Sequence, residues 1–373
     1  MVYKSPAAKK NSSNYHNIYD ALQVEYQQAQ KADPFKADMR LVDDVPRFNE
    51  AADYGELLKI LHDLVACGPK AEILSPPEAW AAIRDLGFVM GPIKRRGMQP
   101  VLEVPELGHY LLELAEQAAC LHPRDNVFTL TVVNPTDERR RTYTKSPSEY
   151  AFIEAVEISM VTMDRCIADI CAMLQYPLHS SHFEVWAKQA AQTFQAVIDA
   201  LLLVRTKVDR DWFANIFTRN LEQIEINGQS YHGPSADQTQ MLIIDWMLYG
   251  QSYPSYMAFF NSLQQHLRPL HRQIMSQHSQ MHGCSVLEMM RRNYAQSLTV
   301  DAEQTDKSVQ SIIRLLKRIR TFRYPHRKIA IDSFAMRDDN RQIGSGGLIP
   351  GSDLRKLIDW TEQAIAEVQT ILR

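Results

Sequence analysis

From about residue 149 onward, apolar positions recur every three or four residues in runs long enough for helices. The runs cover roughly 149–175, 183–205, 211–223, 238–249, 255–280, 285–297, 306–335 and 353–372. This is the spacing of core-facing helices, and eight in succession predict a bundle. In the first, Ala151, Ala155, Ile158, Val161 and Thr162 share a face, while Glu154, Glu157, Asp164 and Arg165 forbid a lipid environment; the pattern predicts a central core helix. Upstream, a helix is expected near Tyr54 to Ala66. Pro76 and Pro77 open another through Trp80, Ile83 and Leu86, with Gly87 and Gly91 near its end, and a third follows Pro105 through Tyr110, Leu114 and Ala118. Val127 to Val133 departs from this period: β-branched residues accumulate there before Asn134-Pro135 and predict a strand. Residues 1–45 are polar and predict a partly disordered segment. Arg139, Arg140 and Arg141 fall in a polar connection, taken as the boundary between a small N-terminal domain, 46–148, and a large helical domain, 149–373. The fold class is mainly α.

Composition narrows the function. Only 14 of 373 residues are glycine, and 41 Lys and Arg stand against 44 Asp and Glu. No stretch reaches the 18 or so uncharged apolar residues of a membrane helix. The first residues, with Lys4, Lys9 and Lys10 ahead of Asn11, have no apolar core for a signal peptide, so a cytoplasmic protein with no membrane partner is expected. Cys67, Cys120, Cys166, Cys171 and Cys284 form no CxxC pair and read as reduced structural thiols. Seven basic residues between Arg314 and Lys328 can track phosphates, but only Phe322 and Tyr324 interleave them, so no nucleic-acid partner is expected. Familiar catalytic signatures are missing. Gly228-Gln229-Ser230-Tyr231-His232-Gly233 has the wrong spacing for a nucleophile elbow, HExxH does not occur, and Glu106 to His109 is a single ExxH where a di-iron bundle needs two. Gly344-Ser345-Gly346-Gly347 lacks the third glycine and the preceding strand of a dinucleotide loop, and His282 with Cys284 supplies only two metal ligands.

One segment carries a signal. Val309, Ile312, Leu316 and Ile319 form an apolar stripe that, seven residues on, reaches His326 and continues through Ile329, Ala330, Ser333 and Phe334. A histidine in such a stripe must either find a hydrogen-bond partner or serve as a ligand, and the residues alone leave both open. Pro325 has no N–H, which frees the carbonyl of Thr321 to accept from the imidazole and orient it. The glycine cluster after Asp338-Asp339-Asn340 suits either close backbone approach to a flat ligand, with Ser345 as its hydroxyl, or a plain loop before the last helix.

Arg323-Tyr324-Pro325-His326, then Ile343-Gly344-Ser345-Gly346-Gly347, then a final amphipathic helix resembles the end of the tryptophan and indoleamine dioxygenase superfamily. The closer resemblance is to the monodechloroaminopyrrolnitrin synthase family, haem enzymes that rearrange chlorotryptophan. It extends through Ala79-Trp80-Ala81-Ala82-Ile83-Arg84-Asp85-Leu86-Gly87-Phe88, Asn134-Pro135-Thr136, Ile158-Ser159-Met160 and Gly228-Gln229-Ser230-Tyr231. The resemblance implies a two-part helical fold like that of indoleamine 2,3-dioxygenase. It implies haem b bound through His326, with O2 or peroxide as co-substrate and a small aromatic amino acid, tryptophan or a related indole, as substrate. Ser345 takes the place of the catalytic loop serine, Gly344, Gly346 and Gly347 cover the cofactor, and Ser235 and Ala236 stand in the distal segment. The family has a tyrosine eight residues after the histidine, and this chain has Phe334, so an oxidative enzyme of altered outcome is expected. The rival expectation is a non-catalytic haem sensor or carrier.

Overall fold

Most long helices begin where the sequence supplies an acceptor for their free N–H groups. Ser75 and Glu78 form a capping box, and the Ser146, Ser180, Ser285 and Asp301 side chains each accept an N–H of the first turn that follows. The computed structural model describes residues 8–119, 123–124, 127–233, 238–338, 343–344 and 347–372. Its principal helices are α1 (Ala8–Lys31), α2 (Tyr54–Cys67), α3 (Pro76–Arg95), α4 (Glu106–Gln117), α5 (Pro147–Met173), α6 (Ser181–Lys207), α7 (Gln238–Leu248), α8 (Pro254–Ser262), α9 (Pro269–Met281), α10 (Val286–Val300), α11 (Ala302–Ala335) and α12 (Asp353–Ile371). The mainly α class stands. Among the described residues no helix is long and apolar enough to cross a membrane.

The long helices α5 and α6 pack along each other, α11 lies on α6, and α12 covers α11. Helix α5 is central, as its sequence implies, but its buried face runs through Phe152, Val156, Met160, Met163 and Ile167, while Ile158 is 40% exposed. The expected face was drawn about one position off. Between α6 and α7 the chain makes a short turn, Arg210–Trp212, then a widened helical turn over Phe213–Phe217 and a tight one over Thr218–Leu221. A hairpin follows, β1 (Ile224–Ile226) against β2 (Gln229–Tyr231), with Ile224 opposite Tyr231. Its turn residues Asn227 and Gly228 both have positive φ, the requirement of a tight two-residue hairpin.

Five further expectations need correction. Val127 to Val133 is not a strand: Val127–Leu130 is one helical turn, and Thr131 N and Val133 N then donate back to the Val127 and Phe128 carbonyls. A short buried apolar run has no period that separates strand from helix, and no neighbouring strand offers these residues a ladder. Residues 8–31, assigned to a partly disordered stretch, form a helix because Leu22, Tyr26 and Ala29 are spaced to bury one face. The expected helix over 255–280 is broken between Ser262 and Pro269, and Arg268, just before the proline, is extended and buried. Arg141, read as part of a polar connection, is fully buried and pairs with Asp85 and Asp38. Helix α3 also runs past Gly87 and Gly91 to Arg95, because Gly91 is a contact point and no stop: a Cβ there would lie 2.6 Å from the Tyr143 ring and 2.8 Å from the Asn220 carbonyl.

Candidate functional site

Helix α11 presents its stripe as read: Val309, Ile312, Leu316 and Ile319 are all buried. Arg323 anchors the next turn. It is buried and ion-paired with Asp245 of α7, donates to the Leu357 carbonyl of α12 at 2.7 Å and to the Tyr249 hydroxyl at 2.8 Å, and bonds Thr361. The helix continues across Pro325, which leaves the Thr321 carbonyl without its usual donor. His326 does not take up that carbonyl. Its imidazole makes no hydrogen bond with any described residue and lies parallel to Phe322, ring centroids 5.2 Å apart and planes 14° apart.

The imidazole instead forms part of a cavity wall. The cavity measures about 200 Å³ and, counted with its mouth, about 1170 Å³ of space. Helices α5, α6 and α11 wall it with Phe152, Val156, Leu201, Phe322, Ile329 and Phe334, and the widened turn contributes Phe213. Polar groups at its surface are few: Ser159, Thr218, His326, Ser333 and Arg337. Burial, with the Arg323 charge adding to it, pushes the His326 pKa down to about 4. The ring is therefore neutral at ordinary pH, with a lone pair available to a metal. Among the described residues no group of three or more His, Cys, Asp or Glu is disposed to hold a metal ion. The iron of a macrocycle brings most of its ligands with it and asks the chain for a single imidazole.

The other predicted residues divide three ways. Phe334 and Gly344 line the cavity with His326. Gly347 lies one turn of loop away, where its N–H donates to the Gly344 carbonyl at 2.9 Å, and its positive φ of 79° favours glycine. Ser345, Gly346, Ser235 and Ala236 lie outside the described residues. Sequence reasoning missed Thr218, Arg337 and His232, whose nearness to the cavity follows from the widened turn and the hairpin. The basic stripe of α11 is interrupted, since Arg323 is inside, Arg327 donates to the Gly351 carbonyl and Lys328 pairs with Asp332.

The model of a family described as monodechloroaminopyrrolnitrin synthase PrnB matches residues 22–370, nearly the whole chain.

Proposed function

The chain belongs to the monodechloroaminopyrrolnitrin synthase family, an enzyme family, and from that premise we propose that it is a haem-dependent oxidative enzyme acting on tryptophan or a related indole or aromatic amino acid. The observation that carries this reading is the neutral, unbonded imidazole of His326 on the wall of an apolar cavity. The ring is half-buried and lines the cavity, so a ligand inside can reach its lone pair. Phe322 fixes the plane of the ring, and Arg323, locked to Asp245, fixes the turn that bears it. Haem b, when bound, supplies an iron that activates O2 or peroxide toward an electron-rich ring. The chain's own part is to exclude water with Phe152, Val156, Leu201 and Phe213, and to keep the cavity free of competing bases. Ser333 offers one hydroxyl on the stripe beyond His326, and Ser345 is assigned proton handling from the family pattern. Phe334 offers an apolar ring where the family pattern has a phenol, so no proton moves through that position. The proposed outcome is therefore oxidation of the substrate without the ring rearrangement for which the family is named.

The test is the absorption spectrum of the purified protein. Wild type is expected to show a Soret band that His326→Ala abolishes or reduces to weak, displaceable haem. A wild-type spectrum in His326→Ala, with the band lost in another histidine variant, refutes the ligand assignment. Haem binding with no turnover of tryptophan, its derivatives or related aromatic amino acids, under O2 with reductant or under peroxide, makes the protein a carrier or sensor and refutes the enzyme reading.

A further inference from the structure

One turn of α11 before His326, the anchor at Arg323 opens onto a group of aromatic side chains that leads away from the cavity. Tyr249, fully buried just past the end of α7, accepts from Arg323 at 2.8 Å, and its hydroxyl lies 3.2 Å from Thr361 Oγ1. Asp245 shares Arg323 with it. One oxygen of that carboxylate is ion-paired, while Oδ1 is buried with no hydrogen bond of its own, and the Tyr249 hydroxyl favours the charged form. The Tyr249 and Tyr253 rings stand 5.8 Å apart, centroid to centroid. A tight turn sets this spacing, with Ser252 N donating to the Tyr249 carbonyl at 2.8 Å and Tyr253 N to the Gly250 carbonyl at 3.0 Å. Tyr253 is buried in turn, and its hydroxyl donates to Glu367 Oε1 of α12 at 3.2 Å. Glu367 reaches solvent: its side chain is 28% exposed, pairs with Arg291 and accepts from Gln363 at 3.0 Å.

Packing alone does not ask for these hydroxyls. Phenylalanine fills similar space nearby at Phe259 and Phe260, and a buried hydroxyl is tolerated only where a partner meets it. A phenol gives up an electron readily only when its proton leaves as well. Tyr249 and Tyr253 each have a carboxylate beside them to take that proton. The third buried tyrosine of the group, Tyr256, lies 6.0 Å from Tyr249 and donates to the neutral Leu242 carbonyl at 2.8 Å, which cannot take one.

We propose that Tyr249 and Tyr253 form an electron path between the protein surface and the His326 cavity, so that peroxide consumed there without substrate leaves an oxidised tyrosine near solvent in place of damage to the cavity wall. The inference rests on the haem-enzyme reading, which supplies the place where peroxide reacts. Reduction of hydrogen peroxide breaks its O–O bond and takes two electrons and two protons, giving two molecules of water. For each electron, Tyr249 is oxidised and its phenolic proton passes to Asp245. Tyr253 then reduces Tyr249, which recovers its proton from Asp245, and the Tyr253 proton passes to Glu367 and on to solvent. Tyr253 is left as a neutral phenoxyl radical. A one-electron reductant in solution, of the ascorbate class, returns one electron with a proton and readies the path for the second.

The experiment mixes the haem-loaded protein with hydrogen peroxide in the absence of substrate. Rapid freezing and electron paramagnetic resonance read the radical, and a spin trap followed by peptide mass spectrometry locates it. The proteins are wild type, Tyr249→Phe, Tyr253→Phe, Glu367→Gln and Tyr256→Phe, each first shown by its melting temperature and Soret band to be folded and loaded. Wild type should give a tyrosyl signal, narrowed when the tyrosines are deuterated, and a trap adduct on Tyr253. Tyr249→Phe and Glu367→Gln should each lose that adduct, Tyr253→Phe should lose the signal, and Tyr256→Phe should keep both. Glu367 is partly exposed, so its variant still decides the matter if Tyr249→Phe fails to fold. Haem-free wild type with peroxide should give no radical. A loaded protein with no tyrosyl radical, or with a Tyr253 adduct that survives both Tyr249→Phe and Glu367→Gln, overturns the path and leaves the haem reading standing. A wild-type protein without a Soret band overturns the haem reading first, and the path falls with it.

Discussion

Phe334 stands in the cavity wall with the Arg337 guanidinium 5.5 Å from its ring centre and Gly344 so near that a methyl on that glycine would touch it at 3.7 Å. The position is packed as well as chemically silent, and that gives a prediction about products. Wild type incubated with tryptophan or 7-chlorotryptophan, under O2 with reductant or under peroxide, should yield oxidised substrate and no aminophenylpyrrole. Phe334→Tyr should begin to form the rearranged product, because it restores a phenol where the family pattern has one. Mass spectrometry of the two reactions checks this, and efficient rearrangement by wild type defeats it. At this scale the sequence was informative where a residue repeats a period and silent where a site is assembled from afar. His326 is found by counting turns from Ile319. Arg337, Thr218 and His232 meet only because a widened turn and a hairpin bring separate stretches together, and nothing local announces it.

Helix α11 holds together three jobs in consecutive turns: core contact to Ile319, an electrostatic anchor at Arg323, and the cavity face from His326. The anchor is a buried pair whose loss leaves a lone charge. Arg323→Met should destabilise the protein by about 3–5 kcal/mol, because Asp245 then stays buried without its partner. Asp245→Leu combined with Arg323→Met should cost less than Arg323→Met alone. Chemical denaturation of the single and double variants checks the order, and equal losses would show that the pair contributes little beyond packing. The helices of the C-terminal part were legible because each buries one face at a 3.6-residue period. The 224–231 hairpin carried a readable signal too, since Asn227-Gly228 sits between two short runs, Ile224-Glu225-Ile226 and Gln229-Ser230-Tyr231. Val127 to Val133 misled because residues that favour strands also fill a fully buried turn, and only tertiary partners decide between them.

Across the whole molecule, His266, His271, His278 and His326 are all held near pKa 4, burial being the largest cause in each. The sign follows from proton counts. Between about pH 6.5 and 4 the unfolded chain takes protons at these histidines that the folded chain refuses, so acid favours unfolding by about 1.4 kcal/mol per pH unit for each one unopposed. Glu149 and Glu157, which burial raises to about 7, act in the other direction by keeping protons in the folded state. Burial also raises Glu25, Asp164 and Asp245 and lowers His282, so the histidine contribution is read from a variant: His278→Gln should make the melting temperature less sensitive to acid between pH 6.5 and 5 than wild type, measurable by calorimetry. An identical pH dependence in the two proteins would contradict the assignment of that ring as neutral.

Tyr26 of α1 donates to Asp164 at 2.9 Å and meets Arg268, whose guanidinium also binds Asp164 and His271 deep in the interior. Asp164 follows Tyr26 by 138 residues and Arg268 by 242. On a ribosome, α1 is therefore made long before the groups that seat it. It leaves the exit tunnel with an amphipathic face whose first partner is α3, where Arg84 donates to the Ala29 and Ala32 carbonyls, and the knot around Tyr26 closes only when most of the chain has been translated. Such distant closure is slow and exposes apolar surface to chaperones or to neighbouring nascent chains. A ribosome stalled before residue 268 should display a protease-sensitive α1, and one stalled well past it a protected one.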